Sequence, residues 1–353
     1  MKLFTRYIAL LLMAVLFCSC GERAENRGIF APSRLNYVKG QDGVSSIPFD
    51  NNTTLWTFAD TIIPLDGKEK TAQGSQGDQY TMISNSLAWT EKVTAENVTH
   101  IQFSYHKESG KVAQFIKNRR GENPLRHRFW ALDGVRIGDR VYVYYAHIYV
   151  PDPVKFLEFS VKYIGLAVWD IPADWKPGNG FRFMRIGALF PEGYPFFGAA
   201  AMIRDGYLYT AGHSKRDGAG FPLSFARVKT CDIENPGSYE YLDGQGRWTG
   251  DFRECAYFFN DVSGECSLSY NSCDRVYDVF YARVFTGETL HVTFRDFSSI
   301  NSMKSRVIYS PPLPREGGMW AYSAKEIFSE GCRTFLIYID PDKYQPVLLE
   351  LER

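Results

Sequence analysis

At 353 residues, with 40 Lys and Arg against 40 Asp and Glu, the chain carries no net charge and has a sequence pI near 7.0. That balance excludes the basic footprint that nucleic-acid binding requires. Aromatic residues make up 16% of the chain, a composition that suits strands better than helices, and no stretch sustains a 3.6-residue apolar period.

In chain order, Lys2 and Arg6 precede an apolar run over residues 7–17 that ends in Cys18-Ser19-Cys20-Gly21. This reads as an export signal over 1–19, its core too short for a membrane span. Cys20 resembles the lipid-modified cysteine of a bacterial lipoprotein, although Phe17 stands where Leu is usual. Residues 20–35 read as a polar tether, and 36–353 as one folded domain. The mature chain is then expected in the bacterial cell envelope, lipid-anchored at the outer membrane or cell surface. Loss of Lys2 and Arg6 leaves 38 cations against 40 anions, so partners are expected to be neutral or mildly charged.

The first predicted element of the domain is a hairpin. Asp42 to Phe49 and Leu55 to Thr61 flank a polar turn around Asn51. Folding about Asn51 sets Asp42 opposite Asp60, where cross-strand Cβ atoms stand roughly 4.5–5.5 Å apart. Two opposed carboxyls repel, so one holds its proton, and a paired acid and base is what glycosidic-bond cleavage needs. The alternative is that one Asp caps the turn or pairs with an Arg while the other faces solvent.

Four further hairpins follow, at Phe129 to Tyr145, Gly198 to His213, Glu265 to Tyr281 and Met319 to Ile339, with turns at Gly138-Asp139, Asp205-Gly206, 272–274 and Glu330-Gly331. Each interval has room for two more strands, such as 81–89 and 100–106 after the first. Five four-stranded units predict an all-β, five-bladed β-propeller. A sixth blade in the long first interval and a two-sheet sandwich are the rivals. In a propeller the leading strands line the channel, which gathers Asp42, Asp60, Asp133, His213 and Glu265 at one mouth.

The sequence Asp42-Gly43-x-x-Ser46 followed by Trp56-x-Phe58-x-Asp60-Thr61 resembles the opening of the exported propellers of glycoside hydrolase family 183, the endo-D-arabinanases, or of a closely related uncharacterised propeller family. Trp130-x-x-Asp133-Gly134, Gly198-Ala199-Ala200 before Tyr209, and Glu265-x-Ser267-x-Ser269-Tyr270-Asn271 extend the likeness in short islands over about 36–350. The resemblance implies hydrolysis of an arabinan-like polysaccharide with Asp42 and Asp60 as the catalytic pair. It implies a third carboxylate as well, for which Asp133 and Glu265 are the candidates. Ala59 departs from the family's Gly and puts a Cβ beside the expected site.

Substrate contacts are assigned to His213, Arg128, Tyr322, Trp130 and Trp56. His213 has the alternative of a solvated loop position, Arg128 and His147 carry weaker signals, and Trp56, Trp130 and Trp320 are either sugar platforms or core. Asp133-Gly134 alternatively opens a turn, and Glu265 alternatively pairs with Arg253 or Arg275. No metal or cofactor is expected, since Cys-x-x-Cys, His-Glu-x-x-His and phosphate-cradling Gly motifs are absent. Of Cys231, Cys255, Cys266, Cys273 and Cys332, the four between 231 and 273 are read as one or two disulfides or as buried thiols. The sequence therefore predicts a monomeric glycoside hydrolase acting on polysaccharide or oligosaccharide. A non-catalytic glycan-binding lipoprotein on the same scaffold is the alternative.

Overall fold

The strands form where β-branched and aromatic residues run between turn residues. The computed structural model describes residues 22–31, 35–36, 38–66, 70–71, 79–155, 158–214 and 221–353. The export signal and Cys20 lie outside them. The chain is all-β, and among the described residues the only helical turns are short 3-10 segments.

Among the described residues, five antiparallel sheets of four or five strands follow one another along the chain. Sheet I contains Ser45–Pro48, Thr53–Phe58, Ser86–Glu91 and Ser104–Tyr105, in that spatial order. Sheet II contains His127–Ile137, Arg140–Tyr149, Ser160–Asp170 and Met184–Pro191. Sheet III contains Ala200–Arg204, Tyr207–His213, Leu223–Lys229, Glu240–Leu242 and Trp248–Thr249. Sheet IV contains Val262–Asn271, Val276–Arg283, Thr289–Phe294 and Lys304–Tyr309. Sheet V contains Tyr322–Glu330, Arg333–Asp340 and Gln345–Glu352, and its outermost strand is Glu25–Ile29 from the other end of the chain.

That last pairing corrects the expected tether. Residues 25–29 hydrogen-bond to the final strand, with Glu25 opposite Glu350 and Ile29 opposite Val347. An unpaired outer edge on sheet V would expose a row of backbone donors and acceptors, and the N-terminal segment covers it. The expected strand over 81–89 also divides. Tyr80–Ile83 joins a small sheet with Thr61–Pro64 and Gly40–Gln41, while Ser86–Glu91 is the third strand of sheet I. The long first interval is filled by that small sheet and two short pairs, Leu35–Asn36 with Lys70–Thr71 and Lys107–Glu108 with Lys111–Val112. It holds no further four-stranded sheet among the described residues.

The second strands explain why simple alternation is weak in this sequence. From Val141 to Ile148 every residue is buried, because both faces of the sheet are covered by neighbouring sheets. Apolar clusters fill the spaces between I and II, II and III, III and IV, IV and V, and V and I. The leading strands touch in the same cyclic sequence. The hairpin of sheet III is closed by Asp205 and Gly206, both left-handed (φ 51° and 79°), between the paired residues Arg204 and Tyr207. This is the two-residue turn whose twist matches that of its strands.

Candidate functional site

The hairpin register places the first two carboxylates. Ser45 pairs with Thr57 and Pro48 with Thr54, and beyond a short break Gln41 pairs with Thr61. In that break the Asp42 amide donates to the Asp60 carbonyl (3.2 Å), and the Ala59 amide donates to the Asp42 carbonyl (2.9 Å). Asp42 and Asp60 are therefore opposed residues on neighbouring strands. The Ala59 methyl is accommodated by Gly43. A Cβ built on Gly43 would lie 2.7 Å from that methyl, and the residue is left-handed at φ 61°, so position 43 admits only glycine.

Asp42 is half-buried, and its Oδ2 accepts hydrogen bonds from the hydroxyls of Tyr322 and Tyr344, both at 2.9 Å. Its Oδ1 is buried with no partner. Burial, then the negative charges of Asp60 and Glu265, push the Asp42 carboxyl well above the usual range, against the pull of the two phenols. Asp60 is 8% exposed, and its Oδ1 is likewise buried and unpartnered. Burial raises it to about 6, opposed by the Arg128 guanidinium, whose Nη1 lies 3.8 Å from Oδ2, and by the Trp130 indole. Burial and the adjacent Asp42 hold both phenols protonated, so they remain donors.

Glu265 comes from the leading strand of sheet IV. Pairing shifts between Ser263 and Cys266, and between Tyr322 and Lys325 in sheet V, mark bulges at the same level. A bulge re-aims a side chain where regular pairing would not. Here the paired bulges bring the Ser323 hydroxyl onto Glu265 Oε2. Glu265 Oε1 would lie 3.4 Å from a Cβ on Gly43, so this carboxylate borders the first strand break.

Asp133 sits at a third bulge, between Ala131 and Gly134, but it is differently employed. Its Oδ1 accepts from the Gly134 amide and its Oδ2 from the Ala201 amide, both at 2.9 Å, and its own amide donates to the Gly198 carbonyl. It ties sheet II to sheet III, and the charge beside it is Lys325, whose ammonium donates to the Ser45 hydroxyl. The carboxylate that acts on Asp42 besides Asp60 is Glu265.

His213 ends the second strand of sheet III. Burial lowers its pKa against the attraction of Glu265, its ring stacks on Phe196 with centroids 5.5 Å apart, and its Nδ1 is buried without a partner. Trp130 is half-buried beside Asp60. Trp56 corrects an expectation: it is fully buried between sheets V and I and donates its indole N–H to Thr90 (2.9 Å), so it has no face to offer a sugar. His147 bonds His127 (3.0 Å) and is lowered to about 4 by burial and by that partner. Among the described residues no three His, Cys, Asp or Glu side chains are placed to share a metal ion. A cavity of about 420 Å³ at Tyr194, Tyr239 and Phe252 is lined by none of the carboxylates.

Tyr344, Ser323 and Lys325 were not singled out in the sequence. Tyr344 follows a Pro-Asp-Lys turn and is left-handed at φ 53°, a strained geometry of the kind found at functional sites. No local signal ties it to Asp42.

The fold has solved counterparts. The chain superimposes on a provisionally assigned hydrolase of Bacteroides ovatus ATCC 8483 with a TM-score of 0.67 and 15% identity, covering 90% of this chain and 87% of that one. CoXyl43, a family 43 β-xylosidase/α-arabinofuranosidase from a compost metagenome solved with xylotriose, gives 0.51 and 15%, covering 92% and 94%. A provisionally assigned glycosidase of Bacteroides thetaiotaomicron VPI-5482 gives 0.51 and 10%, covering 94% and 96%. The chain therefore has the all-β, propeller-like fold of glycoside hydrolases. No curated protein matches the sequence. Residues 32–290 match the family described as a domain of unknown function, DUF5005, and the chain belongs to that family.

Proposed function

We propose that this protein is an exported glycoside hydrolase that cleaves an arabinan-like polysaccharide, with Asp42 as general acid and Asp60 as base or nucleophile. The observation that carries this reading is the pair of opposed carboxyls, each with a buried, unpartnered oxygen, held in environments that separate their acidities. Finding two titratable groups pushed apart in this way is the usual guide to acid and base roles. Two phenols occupy Oδ2 of Asp42, which leaves Oδ1 to carry the proton toward a leaving-group oxygen. Arg128 favours the charged form of Asp60, whereas the negative charges beside Asp42 favour its protonated form. Glu265 supports the protonated state of Asp42 through its negative charge. The five sheets are read as the blades of a five-bladed propeller, with its mouth as the sugar entrance. Cys20 is read as the lipid-bearing N-terminus of the mature chain.

The test is incubation with arabinans and a panel of other plant and bacterial polysaccharides, followed by product analysis. Asp42→Asn is expected to lower the rate by roughly 10²–10⁴, the usual worth of general acid–base participation, with folding intact. The wild-type rate is expected to fall on the acid side around pH 6, where Asp60 takes up its proton. Binding without cleavage across the panel would replace this reading with the glycan-binding one. For the anchor, mass spectrometry of the native protein should find a lipidated Cys20, and an unmodified cysteine there would remove that part.

A further inference from the structure

Five cysteines lie among the described residues, all as thiols, and two of them meet across a seam. Cys273 is in the turn between the first two strands of sheet IV, and Cys332 is in the corresponding turn of sheet V. Their sulfurs are 3.3 Å apart although the residues are 59 positions apart in sequence. Both side chains are exposed, whereas Cys255 and Cys266 are buried.

The surroundings fix the two turns against each other. The Cys273 thiol donates to the Gly331 carbonyl (3.3 Å), and its amide donates to the Asn271 side chain (2.8 Å). The Arg353 amide donates to the Cys332 carbonyl (3.1 Å), while the Arg353 guanidinium crosses to sheet IV to pair with Asp278 (2.8 Å) and Asp274 (3.6 Å). The first strands of the same two sheets are joined through Ser269 to Glu326 (2.6 Å). The seam is therefore braced on either side of the sulfurs, and the approach of the two thiols is a product of packing rather than of loose turns.

We propose that Cys273 and Cys332 are a disulfide site that staples sheet IV to sheet V on the face opposite the carboxylates. A covalent S–S bond is about 2.05 Å long, so closure asks for roughly 1.2 Å of approach from the 3.3 Å contact, within reach of side-chain rotation by two exposed residues. The oxidant is a disulfide reagent. One thiolate attacks it and releases one of its halves as a thiol, and the second thiolate then displaces the other half. One S–S bond is made as one is broken, the reagent takes up two electrons, and the two cysteine protons end on the released thiols.

The pairing differs from the one expected inside the 231–273 cluster, because sheet order brings the turns of IV and V together while Cys255 and Cys266 are separated in packed cores. The test equilibrates the full chain with oxidised glutathione, alkylates it without unfolding, and maps peptides by mass. The expected result is one linked peptide joining Cys273 to Cys332, two hydrogens lighter than the reduced pair. Oxidation should also raise the melting temperature by roughly 5 °C, as closing a loop of this length in a chain of this size implies. Cys273→Ser and Cys332→Ser should each lose the linked peptide and the gain in melting temperature, leaving the remaining thiol free or capped by glutathione. Recovery of both residues separately alkylated or separately glutathionylated from the wild type would overturn the site. A linked peptide with unchanged melting would refute the staple.

Discussion

Replacing Asp60 with Asn should stabilise this protein while abolishing the activity proposed for it. In the folded chain the Asp60 carboxyl sits at about 6, against an ordinary 3.8. Between those values the folded state binds more protons than the unfolded one, so stability falls as pH rises from about 3.8 to about 6 and is flat beyond. A difference of about two units at 1.36 kcal/mol each amounts to at most about 3 kcal/mol lost on ionisation. Conversion is warranted because the side chain is almost wholly buried, so solvent screens it little. Asn is nearly isosteric and cannot ionise, and its amide would replace an oxygen that already lacks a partner. At pH 7.5 the variant should melt up to roughly 4 °C above the wild type, given the unfolding entropy of a chain this long. At pH 4, where wild-type Asp60 is itself protonated, the two should melt together. The assay is a melting series from pH 4 to 8 on both proteins, paired with urea midpoints. A variant that melts no higher at pH 7.5, or that keeps its advantage at pH 4, would show that Asp60 is not a buried carboxyl held at a cost.

Two further outcomes follow from the same geometry. Tyr344→Phe removes one of two hydrogen bonds that favour ionised Asp42, so Asp42 should keep its proton to higher pH and the alkaline limb of the pH–rate profile should move upward; a limb that stays or moves down would separate that limb from Asp42. Trp56→Ala should cost about 3–5 kcal/mol, as for other buried aromatics, with KM of the folded fraction unchanged; a raised KM without loss of stability would restore Trp56 as a sugar platform.

Much of the fold was legible because the second strands are rich in apolar and β-branched residues and their turns are marked by Gly, Asp and Asn. The hairpin at Gly198 to His213 has its turn and its far end where the sequence sets them, since Asp205-Gly206 admits few other conformations, while its first strand begins at Ala200. The N-terminal strand was not legible. Its residues, Glu25 to Ile29, are mostly polar and all exposed, so its sequence is that of a tether. Its partner lies at the far end of the chain, and nothing local announces it. Trp56 misled for a related reason: a tryptophan in a strand has the same sequence signature whether its face meets a sugar or another sheet.

The site divides along the same line. Asp42 and Asp60 were found because register is arithmetic: a hairpin folded about Asn51 pairs positions equidistant from it, and the observed ladder keeps that rule from Pro48 to Ser45 and again at Gln41 and Gly40, on either side of the break. Tyr344 was not found, because it reaches Asp42 from 302 positions away, and Tyr322, expected as a sugar contact, was not tied to Asp42, 280 positions distant. Asp42 lies in the break of the first hairpin, where sheet I meets sheet V, and sheet V is itself completed by the first described strand of the chain. Its acidity therefore depends on how the two ends of the chain come together. Local pattern thus supplies the opposed pair of carboxyls, and closure of the sheets supplies their surroundings. A single sequence displays the first and conceals the second.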